Sequence, residues 1–448
     1  MIHTFTSCDR HFALDVGSGA VYALDRPAWE ALSLRAQGMP NEEIQRQLTP
    51  VYGEEIAEML AEFDQLAAEG QLDAPDDYAD LEMQTGGVVK AMCLHAAHDC
   101  NLRCAYCFAA TGDFCMGERC LLSYEVGAKA LEWLIAHAGN RHTLEVDFFG
   151  GEPLMNFPVV KQLVAYGREL ERIHNKRFLF TTTTNGTLLN EEIIDFLNRE
   201  MHNVVLSIDG RPQVHDRMRP TAGGRGSYEL IAPRALELVR QRGGDRYYVR
   251  GTYTAYNQDF GNDVLALADA GFEQLSIEPV VTDPANPYAL TPEMVPALCA
   301  EYERLAGIYL ARRASGKWFN FFHFMVDLAG GPCLKKRLLG CGAGNEYVAV
   351  TPEGDLYPCH QFVGRPAFRM GSVLDGTFDT EMQHRFAENH VLNKPKCGQC
   401  WAKFFCSGGC AANAQAFHGD IAEPYEMECA LQRKRLECAM AIWAIERG

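Results

Sequence analysis

Between residue 88 and about residue 315 the chain switches repeatedly between two hydrophobic periods. "VVKAMCLHA", "HTLEVDFFG", "RFLFTTTTNG", "NVVLSIDG", "YYVRGTYT" and "EQLSIEPV" are β-branched or aromatic runs of strand length, and the stretches between them, such as Ser123 to Ala138 and Pro158 to Glu171, carry helical spacing. Six β-α units predict an α/β fold with a parallel sheet, and six are too few to close an eight-stranded barrel. An open, partial (β/α)6 barrel is expected. In such folds the chemistry gathers where strands end and the following loops begin. Cys100, Cys104 and Cys107 follow the first strand, Gly150 to Pro153 the second, Asn185 the third and Asp209 the fourth.

The flanks differ in texture. Residues 1–75 read as a separate module: "FALDVGSGAVYALD" alternates on both sides of a Gly-Ser-Gly turn, a hairpin signal, and helical patterns follow at Pro27 to Arg35, Asn41 to Leu48 and Glu54 to Ala68, with Asn41 as candidate N-cap. A hairpin with three short helices predicts a winged-helix-like shape. DNA binding is the ordinary use of that shape, but thirteen Asp and Glu against four Arg in this segment argue against it. Residues 76–87 read as a polar linker. From 316 to 448 periodicity weakens and nine of the seventeen cysteines appear, so a small, loop-rich, metal-held domain is expected there.

Composition and charge narrow the function. A chain of 448 residues that is 47% hydrophobic can bury a large core and divide into two or three domains. The formal net charge of −18 argues against a nucleic-acid or anionic-membrane partner. No run of eighteen apolar residues occurs, and "MIHTFTSCDR" lacks a basic head followed by an apolar stretch, so a cytoplasmic location is expected. In that compartment cysteines are held reduced, and seventeen of them point to metal rather than to disulfides.

The segment "HDCNLRCAYCFA" carries the first cluster as C-x3-C-x2-C, a pattern expected by chance only about 0.02 times in a chain with this many cysteines. Zinc wants a fourth protein ligand that nothing here is obliged to supply, and His95 and His98 read as packing or hydrogen-bonding residues. Three thiolates suit a four-iron four-sulfur cluster with one iron left free.

"CNLRCAYC", with "GGEP", "TTTNG" and "SIDG" downstream, resembles the radical S-adenosylmethionine enzymes over roughly residues 88–315. The resemblance implies that the free iron chelates the amino and carboxylate groups of S-adenosylmethionine, that one electron breaks the sulfonium, and that a 5′-deoxyadenosyl radical then takes hydrogen from the substrate. It places Gly150, Gly151, Glu152 and Pro153 at the methionine amino group, Ser207 and Asp209 at the ribose hydroxyls, Arg219 at the methionine carboxylate and Tyr106 beside the adenine.

"CGQCWAKFFCSGGC" resembles the SPASM extension of radical enzymes that modify peptides, which holds two auxiliary four-iron four-sulfur clusters. By position, Cys397, Cys400, Cys406 and Cys429 are implied as ligands of the outer cluster and Cys341, Cys359 and Cys410 of the inner one. Cys333 either completes the inner set or leaves that iron open to a substrate thiolate. Cys8, Cys93, Cys115, Cys120, Cys299 and Cys438 read as small buried hydrophobes.

Over nearly the whole chain, "VVKAMCLHAAHDCNLRCAYCFAATGDF", "LEVDFFGGEPLMNF", "NFFHFMVDL" and "EYVAVTPEGDLYPCHQFVG" look like the maturases of SCIFF peptides, the Cys-rich ribosomal precursors of the ranthipeptide class. That resemblance implies a PqqD-like recognition element at the N-terminus, which takes a leader peptide as an added strand. It also implies intramolecular thioether formation from Cys to an acceptor carbon, with an electron donor such as flavodoxin or ferredoxin. Another radical SPASM modifier, such as a sulfatase-type maturase, an epimerase or a C–C crosslinker, is the first alternative. An iron-sulfur carrier or zinc-binding interaction protein is the second.

Overall fold

The computed structural model describes residues 1–78, 81, 87–328 and 334–447, with backbone alone for 334–336. Cys333 and most of the expected linker lie outside the described residues.

The N-terminal module is a three-stranded antiparallel sheet of β1 (Ile2–Ser7), β2 (Arg10–Asp15) and β3 (Val21–Leu24), followed by α1 (Arg26–Ala36), α2 (Asn41–Tyr52) and α3 (Glu55–Ala68). Asp25 caps α1 by accepting from Ala28 N at 2.9 Å. Asn41 does not cap α2. Pro40 holds that position, and the Asn41 amide donates instead to Asp64 on α3 at 2.9 Å. The hairpin of the sequence reading is β2–β3, and β1 is an addition to it. The inward face of β1 is polar and aromatic because it meets polar partners: His3 stacks on Trp401 of the C-terminal region with centroids 3.9 Å apart, and the Ser7 hydroxyl donates to Glu303 of the helix Val295–Ala314 at 2.8 Å.

The six expected strands form the centre of one large sheet: β4 (Ala91–His98), β6 (Thr143–Gly150), β7 (Arg177–Thr184), β8 (Asn203–Ser207), β9 (Tyr247–Tyr253) and β10 (Gln274–Pro279). Each pairs in parallel with its neighbour in that order, with the two-residue β5 (Cys120–Leu121) running antiparallel beside the end of β4. The crossovers include α4 (Tyr124–His137), capped by Ser123, and α5 (Phe157–His174). Strand β7 shows how the pattern writes itself: Phe178, Phe180, Thr182 and Thr184 are buried and alternate with partly exposed residues. Strand β4 does not alternate. Met92 to His98 are all buried, because it is covered on both faces at the centre of the sheet.

The sheet does not stop at the barrel. Strand β11 (Asn320–Phe321) extends the β10 edge in parallel, and β12 (Tyr347–Val350) pairs in parallel with β4 on the other side. From β12 it continues antiparallel through β13 (Asp355–Tyr357), β14 (Gly371–Ser372) and β15 (Thr377–Phe378).

The C-terminal region is less loop-rich than its sequence implied, since it ends in a 22-residue helix, Glu426–Arg447. Helical spacing is obscured there because the helix is covered on several sides. It packs on the preceding long helix Val295–Ala314 and on the N-terminal sheet, and it buries Arg435 along with Leu431, Leu436 and Met440. Among the described residues, no helix is long and apolar enough to cross a membrane.

Candidate cofactor and cluster sites

The loop after β4 is held in place from three directions. Arg103 N and Ala105 N donate to Pro220 O and Met218 O at 2.8 Å each, tying the loop to the segment after β8. Asn185, at the end of β7, donates to Asn101 at 2.8 Å. At the end of β6, Gly151 N and Glu152 N donate to Ala97 O and Asp99 O at 2.7 and 2.8 Å. That last approach allows no side chain. A Cβ on Gly150, where φ is +115°, would stand 2.2 Å from Ala97 O, and one on Gly151 would stand 2.1 Å from Asp99 O.

Glu152 is fully buried beneath this contact. Its Oε1 accepts from Leu154 N at 3.0 Å and from the Thr184 hydroxyl at 2.8 Å, and its Oε2 accepts from Asn185 N at 2.8 Å. Burial pushes its carboxyl up to about 7 against these donors. Glu152 therefore binds the ends of β6 and β7 together, and Gly150 and Gly151 line the cavity above it. Pro153 is buried and opens the short 3-10 turn that follows.

A second knot lies across the sheet. Asp209 is buried, with Oδ1 accepting from Arg219 Nε and Thr252 N at 3.0 Å each and Oδ2 accepting from the Tyr106 hydroxyl at 2.6 Å. The Arg219 guanidinium lies 5.3 Å from the Tyr106 ring centroid and 4.0 Å from Cys104 Sγ. Both oxygens of Asp209 are thus engaged by the protein, whereas Ser207, Tyr106 and Arg219 line the cavity.

That cavity holds about 470 Å³. Cys100, Cys104, Cys107 and Cys410 all line it, together with Arg250, Glu278, His360, Glu428 and Arg435. Burial opposes ionisation of Glu278, yet His323, Arg435 and Arg250 outweigh it and hold the carboxyl at about 2. Sequence reasoning missed these polar groups. The signal was present in Arg250, a charge inside the apolar strand β9, and in Glu278, a carboxylate at the C-terminal end of β10.

The thiols sort into three groups. Burial, and after it the neighbouring Glu152, Cys104 and Cys107, push the Cys100 thiol up to about 12, and burial raises Cys104 to about 11. Thiols this crowded and dry stay protonated unless a cation neutralises them. Leu102 N and Asn185 Nδ2 lie 3.5 and 3.7 Å from Cys100 Sγ, the amide environment a cluster thiolate uses. Cys397, Cys400, Cys406 and Cys429 surround one small cavity of about 140 Å³. Cys359, Cys410 and Cys341 form the third group: after burial, Cys410 and Cys341 both raise the Cys359 thiol, and Cys341 also raises Cys410. Among the described residues every cysteine is free. Three thiols, four thiols and three thiols are donor sets that fit iron-sulfur clusters.

Two family models match. The model described as a 4Fe-4S single cluster domain covers residues 85–231, and the SPASM iron-sulfur cluster-binding domain covers residues 341–401. The chain is a radical S-adenosylmethionine protein with a SPASM domain. Its cofactors are S-adenosylmethionine and multiple 4Fe-4S clusters. This radical SPASM protein is 24% identical over 348 residues to the cysteine-type anaerobic sulfatase-maturating enzyme of Clostridium novyi, covering 71% of this chain and 87% of the relative. It is 27% identical over 358 residues to the mycofactocin maturase MftC of Mycobacterium ulcerans, covering 78% and 90%. Among solved structures, native anSMEcpe with bound AdoMet and the Kp18Cys peptide matches at a TM-score of 0.65 with 20% identity, covering 79% of this chain and 98% of that one. Streptococcus suis SuiB bound to S-adenosylmethionine matches at 0.53 with 16% identity, covering 94% and 97%. These likenesses establish the shared fold.

Proposed function

We propose that this protein installs thioether crosslinks within a Cys-rich, ribosomally made precursor peptide, joining a Cys sulfur to a carbon of an acceptor residue. The observation that carries the reading is one cavity onto which both the first cysteine loop and Cys410, just beyond the residues matched as SPASM, open. An acceptor side chain placed there lies between a site of hydrogen abstraction and a site that can take the surplus electron. The balance is simple: one C–H and one S–H bond are lost and one C–S bond forms, so the peptide gives up two hydrogen atoms, that is, two protons and two electrons in all.

When bound, the first cluster and S-adenosylmethionine supply one-electron reduction and hydrogen-atom abstraction. The chain's own residues position the parts. Cys100, Cys104 and Cys107 hold the first cluster, Gly150 and Gly151 let the cofactor approach the backbone, and Arg219, fixed by Asp209, offers a cation to a carboxylate. Cys397, Cys400, Cys406 and Cys429 hold the outer auxiliary cluster, and Cys341, Cys359 and Cys410 the inner one. A flavodoxin or ferredoxin is the proposed electron donor.

Residues 1–75 are proposed to capture the leader. Strand β3 has β2 on one side and no other strand partner among the described residues, so it offers an edge for strand addition. The SuiB likeness, which extends over 94% of this chain, supports a peptide-directed reading, since that protein is also described bound to its precursor peptide SuiA. A sulfatase-type maturase is the second reading, favoured by the C. novyi relative.

The test is incubation of the anaerobically reconstituted enzyme with S-adenosylmethionine, a reductant and the Cys-rich peptide encoded beside its gene. A loss of two hydrogens per crosslink by mass spectrometry is expected, and conversion of a sulfatase peptide alone overturns the proposal. Cys104→Ala should abolish 5′-deoxyadenosine formation. Cys400→Ala should abolish crosslinking while 5′-deoxyadenosine formation falls by a factor of about three or less.

A further inference from the structure

Beside the first cluster loop, and separate from every cysteine set above, His98, Cys120 and Glu353 meet at one point. Each brings a ligand atom within 4.8 Å of the other two. Strand pairing explains part of this: β5 runs antiparallel to β4 with Cys120 directly opposite His98. Glu353 arrives from the turn between β12 and β13, and β12 pairs with the same edge of β4 as β5, the opposite edge being taken by β6. Three segments, one of them from the SPASM region, therefore converge at the end of β4.

Packing alone does not account for His98. It is wholly buried, its Nε2 lies 2.9 Å from His95 Nδ1, and its own Nδ1 has no hydrogen-bond partner. A buried imidazole nitrogen left unsatisfied carries a desolvation penalty that a bound ligand removes. The neighbouring groups are of the type that would satisfy it through a metal: a thiol and a carboxylate, with the Cys120 S–H donating to Glu353 Oε1 at 3.0 Å.

We propose that His98 Nδ1, Cys120 Sγ and Glu353 bind one divalent transition-metal ion of the zinc type. One nitrogen, one sulfur and one oxygen donor suit zinc, with a fourth position left to water on the exposed side, where Glu353 stands. Binding replaces the Cys120 S–H···Oε1 hydrogen bond and releases that proton to solvent, so the ligand set becomes imidazole, thiolate and carboxylate. His95 supplies the outer contact that metal-bound histidines ordinarily have, its Nδ1 accepting from His98 Nε2–H. The ion would pin the β12–β13 turn to the strand that launches the first cysteine loop. The inference does not depend on which peptide is modified.

The test uses the full-length, cluster-loaded enzyme and zinc alone as probe. After dialysis against zinc, wild type should retain one zinc per chain with its iron unchanged. Zinc-edge X-ray absorption should show one sulfur at about 2.3 Å and the remaining ligands, nitrogen or oxygen, at about 2.0–2.2 Å. Cys120→Ser and Glu353→Gln should each weaken zinc retention by about tenfold or more, with the iron-sulfur signals preserved. Glu353 is exposed, so Glu353→Gln remains informative if Cys120→Ser does not fold. Three or four sulfurs around the zinc would place it in a cluster site and overturn the proposal. So would no retained zinc, or equal retention by both variants.

Discussion

Tyr106 donates its phenolic hydroxyl to Asp209 at 2.6 Å across 103 positions of sequence, and the same carboxylate holds Arg219. The residue between the second and third cysteines of the first loop is thereby tied to the arginine proposed to meet the cofactor's carboxylate. A hydrogen bond to a charged group contributes about 1.5–3 kcal/mol. Tyr106→Phe should therefore weaken S-adenosylmethionine binding about tenfold or more, measured by equilibrium dialysis, while iron content stays at the wild-type value.

Gly151 offers a sharper test of the loop. A methyl group there meets Asp99 O at 2.1 Å, with backbone on both sides and no flexible side chain to yield. Gly151→Ala should displace the first cysteine loop and cost about four of about twelve irons per chain, leaving the auxiliary signals intact by electron paramagnetic resonance.

His215 sets part of the response to acid. It is buried, its Nδ1 accepts from Asp209 N and its Nε2–H meets the Ser227 hydroxyl, an arrangement that needs the neutral ring. Burial first, with Arg219 adding to it, lowers the ring to about 4 from 6.5. A histidine depressed on folding contributes stability above its unfolded value, and that stability is lost as pH falls from about 6.5 toward about 4. Lowering the pH from 7 to 5 should cost about 2 kcal/mol through this group, and urea unfolding of His215→Gln should lack that increment.

The edge proposed to bind a leader is tested by proline. Placed through Tyr22 and Ala23 of β3, it removes an outward N–H at one of the two positions. Leader affinity by fluorescence anisotropy should fall about tenfold for that variant, and 5′-deoxyadenosine formation without peptide should not change.

Much of the barrel was readable because its strands announce themselves. Phe178, Phe180 and Thr182 alternate with partly exposed neighbours, and the chemistry-bearing residues follow the strand ends as the fold rule requires. The first three cysteines were readable for a different reason, because spacing within a short loop limits which thiols can meet, whereas the division of the C-terminal cysteines into two sets rested on the resemblance to the SPASM extension. What escaped was contact between distant segments. Strand β1 carries His3 and Ser7 where an apolar face would have marked it, because Trp401 and Glu303 lie opposite. Helix Glu426–Arg447 buries Arg435 against Tyr302, so its charged and apolar positions do not separate into faces. Asn41 has the chemistry of a cap, but Asp64 takes its amide. Glu152 and Asp209 stand at the expected strand ends, yet their oxygens are spent on holding backbone and side chains, which no local pattern discloses.

Because β4 is laddered to β6 on one side and to β12 on the other, the strand that leads into Cys100 is also the strand on which the SPASM segment is built. The two redox stations are therefore stitched to a common beam. Their separation is settled when the chain folds, so in the proposed thioether reaction the substrate would bring its carbon and sulfur to a gap of preset width instead of drawing the two halves together around itself.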